Sequence, residues 1–193
     1  MHYSQIETTS GSMNLIGSTI FIAGVYGTGK STMCSALAKI LHIPAFSAGD
    51  LISSKNGEHY GANKTVSDKY ANQLLLIERV HQLIQKNERI ILAGHFCIFN
   101  SYNEVDILPE SVYSQLSISR IILLEANIQT VISNLISRDG KNYTLESISK
   151  LIKKEREQCK RIAEQLSCPF NIYQMTFTEQ DTQYVASLIS KES

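Results

Sequence analysis

The chain has 193 residues, 18 basic and 18 acidic side chains, a formal net charge of zero and an apolar share of 43%. That length suffices for one domain with a sizeable core, and the neutral balance argues against a broad electrostatic surface for nucleic acid or anionic membrane. No window of about 18 apolar residues could span a bilayer. Cys34, Cys97, Cys159 and Cys168 lack CxxC or zinc-type spacing, so reduced thiols in a cytoplasmic protein are expected.

Met1 to Ser18 mixes Ser, Thr, Gln and Gly without the basic stretch and apolar core of a signal peptide; it reads as a loose leader before one domain over 19–193. Thr19–Ala23 is a short run of β-branched and apolar residues, as in a strand buried on both faces. From Lys30 to Leu41 the apolar residues Met33, Leu37, Ala38 and Leu41 recur at helical spacing. Pro44–Phe46 can hold a second strand, and Asp50 suits the N-cap of a helix beginning near Leu51. The stretch from Ser53 to Thr65 is polar. A helix over Val66–Gln85 and a buried strand over Arg89–Ala93 follow, then a loop from Gly94 to Asp106 and a short helix opened by Pro109. Arg120–Leu124 is another strand and Ile128–Ser137 another helix. Arg138–Tyr143 is a polar turn, after which Thr144 caps a long helix to about Leu166. Phe170–Tyr173 and Asp181–Lys191 close the chain as strand and helix. Strands alternating with helices predict a three-layer α/β/α domain around a parallel sheet.

The segment Gly24-Val25-Tyr26-Gly27-Thr28-Gly29-Lys30-Ser31 matches G-x-x-x-x-G-K-[ST] in full, directly after a strand and at the start of a helix. Glycines let backbone N–H groups approach phosphate oxygens, and the helix terminus adds its positive end. Lys30 reaches the outer phosphates as a point charge, and Ser31, followed by Thr32, supplies a hydroxyl to Mg²⁺. ATP and Mg²⁺ are the cofactors this pattern calls for.

From about Ile20 to Tyr173 the chain resembles the adenylate kinase-like branch of small P-loop kinases, in particular the archaeal-type adenylate kinases. Besides the loop, the similar pieces are Ala48-Gly49-Asp50-Leu51, Ala93-Gly94-His95, Leu108-Pro109, Leu124-Glu125-Ala126, Arg138-Asp139 and Arg161. The resemblance implies phosphoryl transfer from a nucleoside triphosphate to a small-molecule acceptor, with a nucleoside monophosphate as the leading acceptor class. It makes Lys30, Arg138 and Arg161 the catalytic candidates, Arg138 lying on a small lid near 138–144. Asp50 and His95 are candidates for the acceptor side, and Asp50 also for a water-mediated contact to Mg²⁺.

Each assignment has a plainer alternative. Arg138 beside Asp139 can be an exposed ion pair, Arg156 stands among Lys153, Lys154, Glu155 and Glu157 as on a solvated helix face, and His95 can simply end a strand. Tyr26 packs on substrate or occupies a permissive position. The third strand ends in Ala93 where archaeal-type enzymes carry an acid, leaving Asp50 or Glu125 to replace it. Lys55 is a point charge where an arginine fork is expected after the Gly-Asp segment, and Asn134 stands in place of a lid arginine. These departures keep open a nucleotide-binding regulatory or sensor protein, and more weakly a protein acting on RNA or on a protein partner.

Overall fold

A computed structural model describes residues 17–53 and 66–191 of the chain. The expected leader up to residue 16 and the polar stretch 54–65, with Lys55, lie outside the described residues.

Five strands form one parallel sheet: β1 (Ser18–Ala23), β2 (Ala45–Ser47), β3 (Arg89–Ala93), β6 (Ile118–Glu125) and β7 (Phe170–Gln174), in the order β2-β3-β1-β6-β7. The alternation of side chains along a strand divides the core in two. Phe21 and Ala23, Ile90 and Leu92, and Ile121 and Leu123 face one layer; Ile20 and Ile22, Ile91 and Ala93, and Ile122 and Leu124 face the other. The second face is covered by α1 (Lys30–Leu41) and α7 (Glu179–Ser190) through Met33, Cys34, Leu37, Val185 and Ile189. The first is covered by α3 (Val66–Ile84), α4 (Glu110–Tyr113), α5 (Ile128–Asp139) and α6 (Leu145–Leu166). Both faces are therefore dry, which is why the central strands read as continuous apolar runs rather than alternating ones. The chain passes from β1 to the β2–β3 side and later returns to the β6–β7 side. The carboxyl end of β1 thus lies at a topological switch point, where open α/β sheets form their crevice.

Three expectations need correction. The stretch 94–106 is not all loop: β4 (Cys97–Phe99) and β5 (Val105–Ile107) pair as an antiparallel hairpin. Asn100 closes it, its side-chain oxygen accepting from the N–H groups of Tyr102 and Glu104; strands of three residues are too short to declare a period. Arg138 and Asp139 belong to the last turn of α5, which Gly140 terminates in the left-handed region. Asp50 lies inside α2 (Ala48–Ser53) instead of capping it, and its N–H donates to Ser47 Oγ. Thr144 does cap α6, accepting from Ser147 N–H. Among the described residues no helix is long and apolar enough to cross a membrane.

Gly94, directly after β3, admits no side chain: a Cβ there would lie 2.5 Å from Phe21 Cζ. Phe21 is held between Phe96 and Tyr113, with ring centroids 5.1 and 5.8 Å away. Gly94→Ala overpacks this aromatic cluster and is expected to lower stability by about 1–3 kcal/mol in urea unfolding. An unchanged midpoint would mean that the Phe21 ring moves aside freely.

Candidate functional site

β1 ends at Ala23, and the next residues leave the sheet as a loop that returns at Lys30 to start α1. Gly24 adopts φ +146°, and a Cβ on it would come within 2.5 Å of Leu124 O. Only glycine fits that turn. Gly29, at φ 85°, is the N-cap of α1; no side chain caps the helix and its first turn holds no acid. The first amides of α1 are therefore left to an anion. Ser31 stands exposed in this first turn beside Thr32.

Lys30 is buried to 9% exposure, and its ammonium donates to Gly24 O at 2.7 Å and Val25 O at 2.8 Å. Thr28 Oγ1 also donates to Val25 O, at 2.9 Å. Across from the lysine lies Glu155 of α6, fully buried. Its Oε1 accepts from Gly24 N–H, its Oε2 from Cys97 N–H at 2.7 Å, and both oxygens accept from Phe96 N–H. Burial lowers the lysine's proton affinity, with Glu155 opposing that shift. Burial raises the carboxyl to about 7 from an ordinary 4.5, against the pull of Lys30 and the amides of Cys97, Phe96 and Gly24. In the sequence, Glu155 is one of a mixed-charge run. Its only earlier sign is its place one turn beyond the core residues Ile148 and Leu151 of α6.

The loop mouth is built from three elements. Tyr26 packs against His95 with the rings tilted by 44° and their centroids 4.2 Å apart, and Arg138 of α5 lies over the Tyr26 ring with Cζ 5.5 Å from its centroid. Burial and the charges of Lys30 and Arg138 hold the His95 imidazole well below its usual range, with the Gly24 backbone acting the other way. Among the described residues its buried Nδ1 has no hydrogen-bond partner. Asn134, one turn before Arg138, donates to Gly27 O at 2.8 Å, so the residue standing where a lid arginine was expected fastens α5 to the loop.

On the other side, the β7–α7 connection lies over Gly29, where a Cβ would meet Phe177 Cε1 at 3.3 Å and Met175 Cε at 3.5 Å. Asp181 holds that connection, accepting from the N–H groups of Thr176 and Phe177 and from the hydroxyls of Thr176 and Tyr173. Phe177, at φ 60° and 47% exposed, was not singled out in the sequence, because nothing local marks an aromatic residue as standing over a distant glycine.

The structure brings Lys30 and Ser31 of the loop together with Tyr26, His95 and Arg138, while Arg161 and Glu125 are engaged elsewhere. Arg161 pairs with Glu110 of α4 and donates to Gln158. Arg156 is exposed, as a solvated helix face requires, yet its guanidinium grips the buried Glu125 in a two-pronged ion pair. Glu125 is thereby committed to Arg156 and is no free substitute for an acid at Ala93. Asp50 is exposed on α2. Among the described residues no group of three or more His, Cys, Asp or Glu could hold a metal. The uncapped α1 terminus, the exposed Ser31 hydroxyl and the Lys30 ammonium do fit a magnesium-bound triphosphate, with Ser31 as the protein's ligand to the ion.

The raised carboxyl of Glu155 has a measurable consequence. Between 4.5 and about 7 the folded protein keeps a proton that the unfolded chain releases, so this group's contribution to stability falls as pH rises through that range. Relative to Glu155→Gln, the parent should lose unfolding free energy between about pH 5 and about pH 7.5, as read by denaturant unfolding. A gap that stays constant, or moves in the parent's favour, would show the carboxyl titrating at an ordinary or lowered value.

The family described as AAA domain matches residues 23–151. No curated protein matches the chain. A gluconokinase from Sinorhizobium meliloti 1021 is similar in structure, with a TM-score of 0.54 at 13% identity over 91% of this chain and 94% of that one. A shikimate kinase from Bacteroides thetaiotaomicron gives 0.53 at 15% identity, covering 89% and 95%. A sugar kinase from Janibacter sp. HTCC2649 gives 0.59 at 14%, covering 90% and 94%. The chain belongs to the AAA-domain family of P-loop proteins, with the three-layer fold of the small P-loop kinases and ATP with Mg²⁺ as its cofactors.

Proposed function

We propose that the protein transfers the γ-phosphoryl group of ATP to a hydroxyl of a small molecule. The carrying observation is that Arg138, from the end of α5, rests on Tyr26 of the same loop whose hollow holds the Lys30 ammonium. Two cations from separate elements thus stand at one phosphate site. Phosphoryl transfer is catalysed mainly by such positioning and by neutralising charge on the moving group. Mg²⁺, held on the protein side by Ser31, would supply neutralising charge to the outer phosphates. Lys30 holds the polyphosphate, the α1 amides orient it, and Arg138 faces the charge that develops during transfer. Phe177 and Met175 offer the nucleobase an apolar wall beside Gly29.

The acceptor enters from the His95 side. A nucleoside monophosphate is the class implied by the resemblance to adenylate kinases. The engagement of Arg156 by Glu125 and of Arg161 by Glu110 supports a second class, a hydroxyl compound with no phosphate to be gripped. The structurally similar gluconokinase, shikimate kinase and sugar kinase agree with it by name. Ala93 favours a further reading, nucleotide binding without turnover.

A coupled ADP-release assay over monophosphates, nucleosides, sugars and sugar acids separates these readings. ADP appearing with one class identifies the acceptor; ATP binding with no acceptor-dependent turnover across the panel overturns the kinase reading. Lys30→Ala should weaken ATP binding or turnover by roughly 10²-fold, since a charge-assisted phosphate contact is lost. Arg138→Ala should lower turnover by about 10²-fold with far less effect on ATP affinity, because its charge acts chiefly on the transition state. Equal turnover in the Arg138 variant and the parent removes that residue from the mechanism.

A further inference from the structure

We infer that Glu155 is the positioning acid of this site: from α6 it fixes the orientation of Gly24, and through Gly24 the ammonium of Lys30, while clamping the loop that carries His95. The inference rests on the nucleotide-binding part of the function proposed above.

Gly24 has no Cβ and sits at φ +146°, so sterics of its own do not hold its backbone in one orientation. Hydrogen bonds must do so. Its N–H is taken by Glu155 Oε1 at 3.2 Å and its carbonyl by Lys30 Nζ at 2.7 Å. One glycine therefore stands between two buried groups of opposite charge. If the carboxylate is removed, the Gly24 N–H loses its partner, and of the two carbonyls that seat the lysine, Gly24 O and Val25 O, the first is no longer braced from the other side.

The same carboxylate reaches the connection between β3 and β4. It accepts from the N–H groups of Phe96 and Cys97, the two residues after His95. His95 packs against Tyr26, so one side chain ties together the two loops that face each other across the mouth. Ala93 leaves the end of β3 without an acid, and the carboxylate beside the lysine comes instead from a helix more than fifty residues later in the chain. A group with two acceptor oxygens and no donor is what three converging amides require; a glutamine would turn an NH₂ toward one of them.

The decisive measurement is the affinity of the folded protein for MgATP and for MgADP, by calorimetry at about pH 7.5, above the carboxyl's value of about 7 and below the lysine's of about 8. Glu155→Gln should weaken MgATP by about ten-fold or more and MgADP distinctly less, because the lysine acts on the outermost phosphates. Leu151→Ala, a core residue of the same helix one turn earlier, lowers the melting temperature but should leave the ratio of the two affinities unchanged. If Glu155→Gln does not fold, Glu155→Asp serves: it keeps the charge but withdraws it by one methylene from Gly24, and should move the ratio in the same direction. A folded Glu155 variant with the parent's ratio, or one that loses both nucleotides by the same factor, overturns the positioning role while leaving the nucleotide site intact. A parent that binds neither nucleotide overturns the nucleotide reading and this inference with it.

Discussion

A buried ammonium and a buried carboxylate hold the two sides of Gly24, and the site is arranged around them. Lys30 takes the carbonyl and Glu155 the N–H. Neither charge would be tolerable alone in this part of the core, since an isolated ion loses its hydration and regains little. Together, and with the amides of Phe96 and Cys97 completing the carboxylate's partners, they form a satisfied polar network under an otherwise apolar sheet edge. The loop that receives phosphate is thus braced from below before any ligand arrives. Preorganisation of this kind is what allows fixed charges to act on a transferring group without reorganising at the moment of transfer.

The elements around the loop are held by the same means. Asn134 ties α5 to Gly27 O, and Asp181 gathers the β7–α7 connection with hydrogen bonds from two amides and two hydroxyls. Arg156 and Glu125 join α6 to the end of β6. Most polar side chains near the sheet's carboxyl edge are therefore committed to structure. Arg138 rests on an aromatic ring of the loop itself, at the boundary between α5 and the turn that leads into α6. A guanidinium held on a ring face is attracted by a modest energy.

These features bear on chemistry more than the fold does. Small P-loop kinases share one scaffold and act on many acceptors, so the architecture assigns the phosphate donor's place but not the acceptor's identity. Beside the loop, His95, whose buried Nδ1 has no hydrogen-bond partner among the described residues, packs against the Tyr26 ring.

The sequence by itself determined the parallel α/β fold, the extent of α1 and the phosphate loop, because each is written in contiguous residues. Apolar runs mark strands buried on both faces, 3.6-residue spacing marks the helices, and the glycines, Lys30 and Ser31 fall within eight positions. Only the tertiary structure decided which charges matter. Glu155 and Arg156 are neighbours in one charged run, yet one turns under the loop and the other reaches out to Glu125. Adjacent positions on a helix point about 100° apart, and their fates depend on what other elements pack there. The same holds for Arg161, for Asn134 and for Phe177: each owes its place to contacts with residues distant in the chain, which local pattern does not encode.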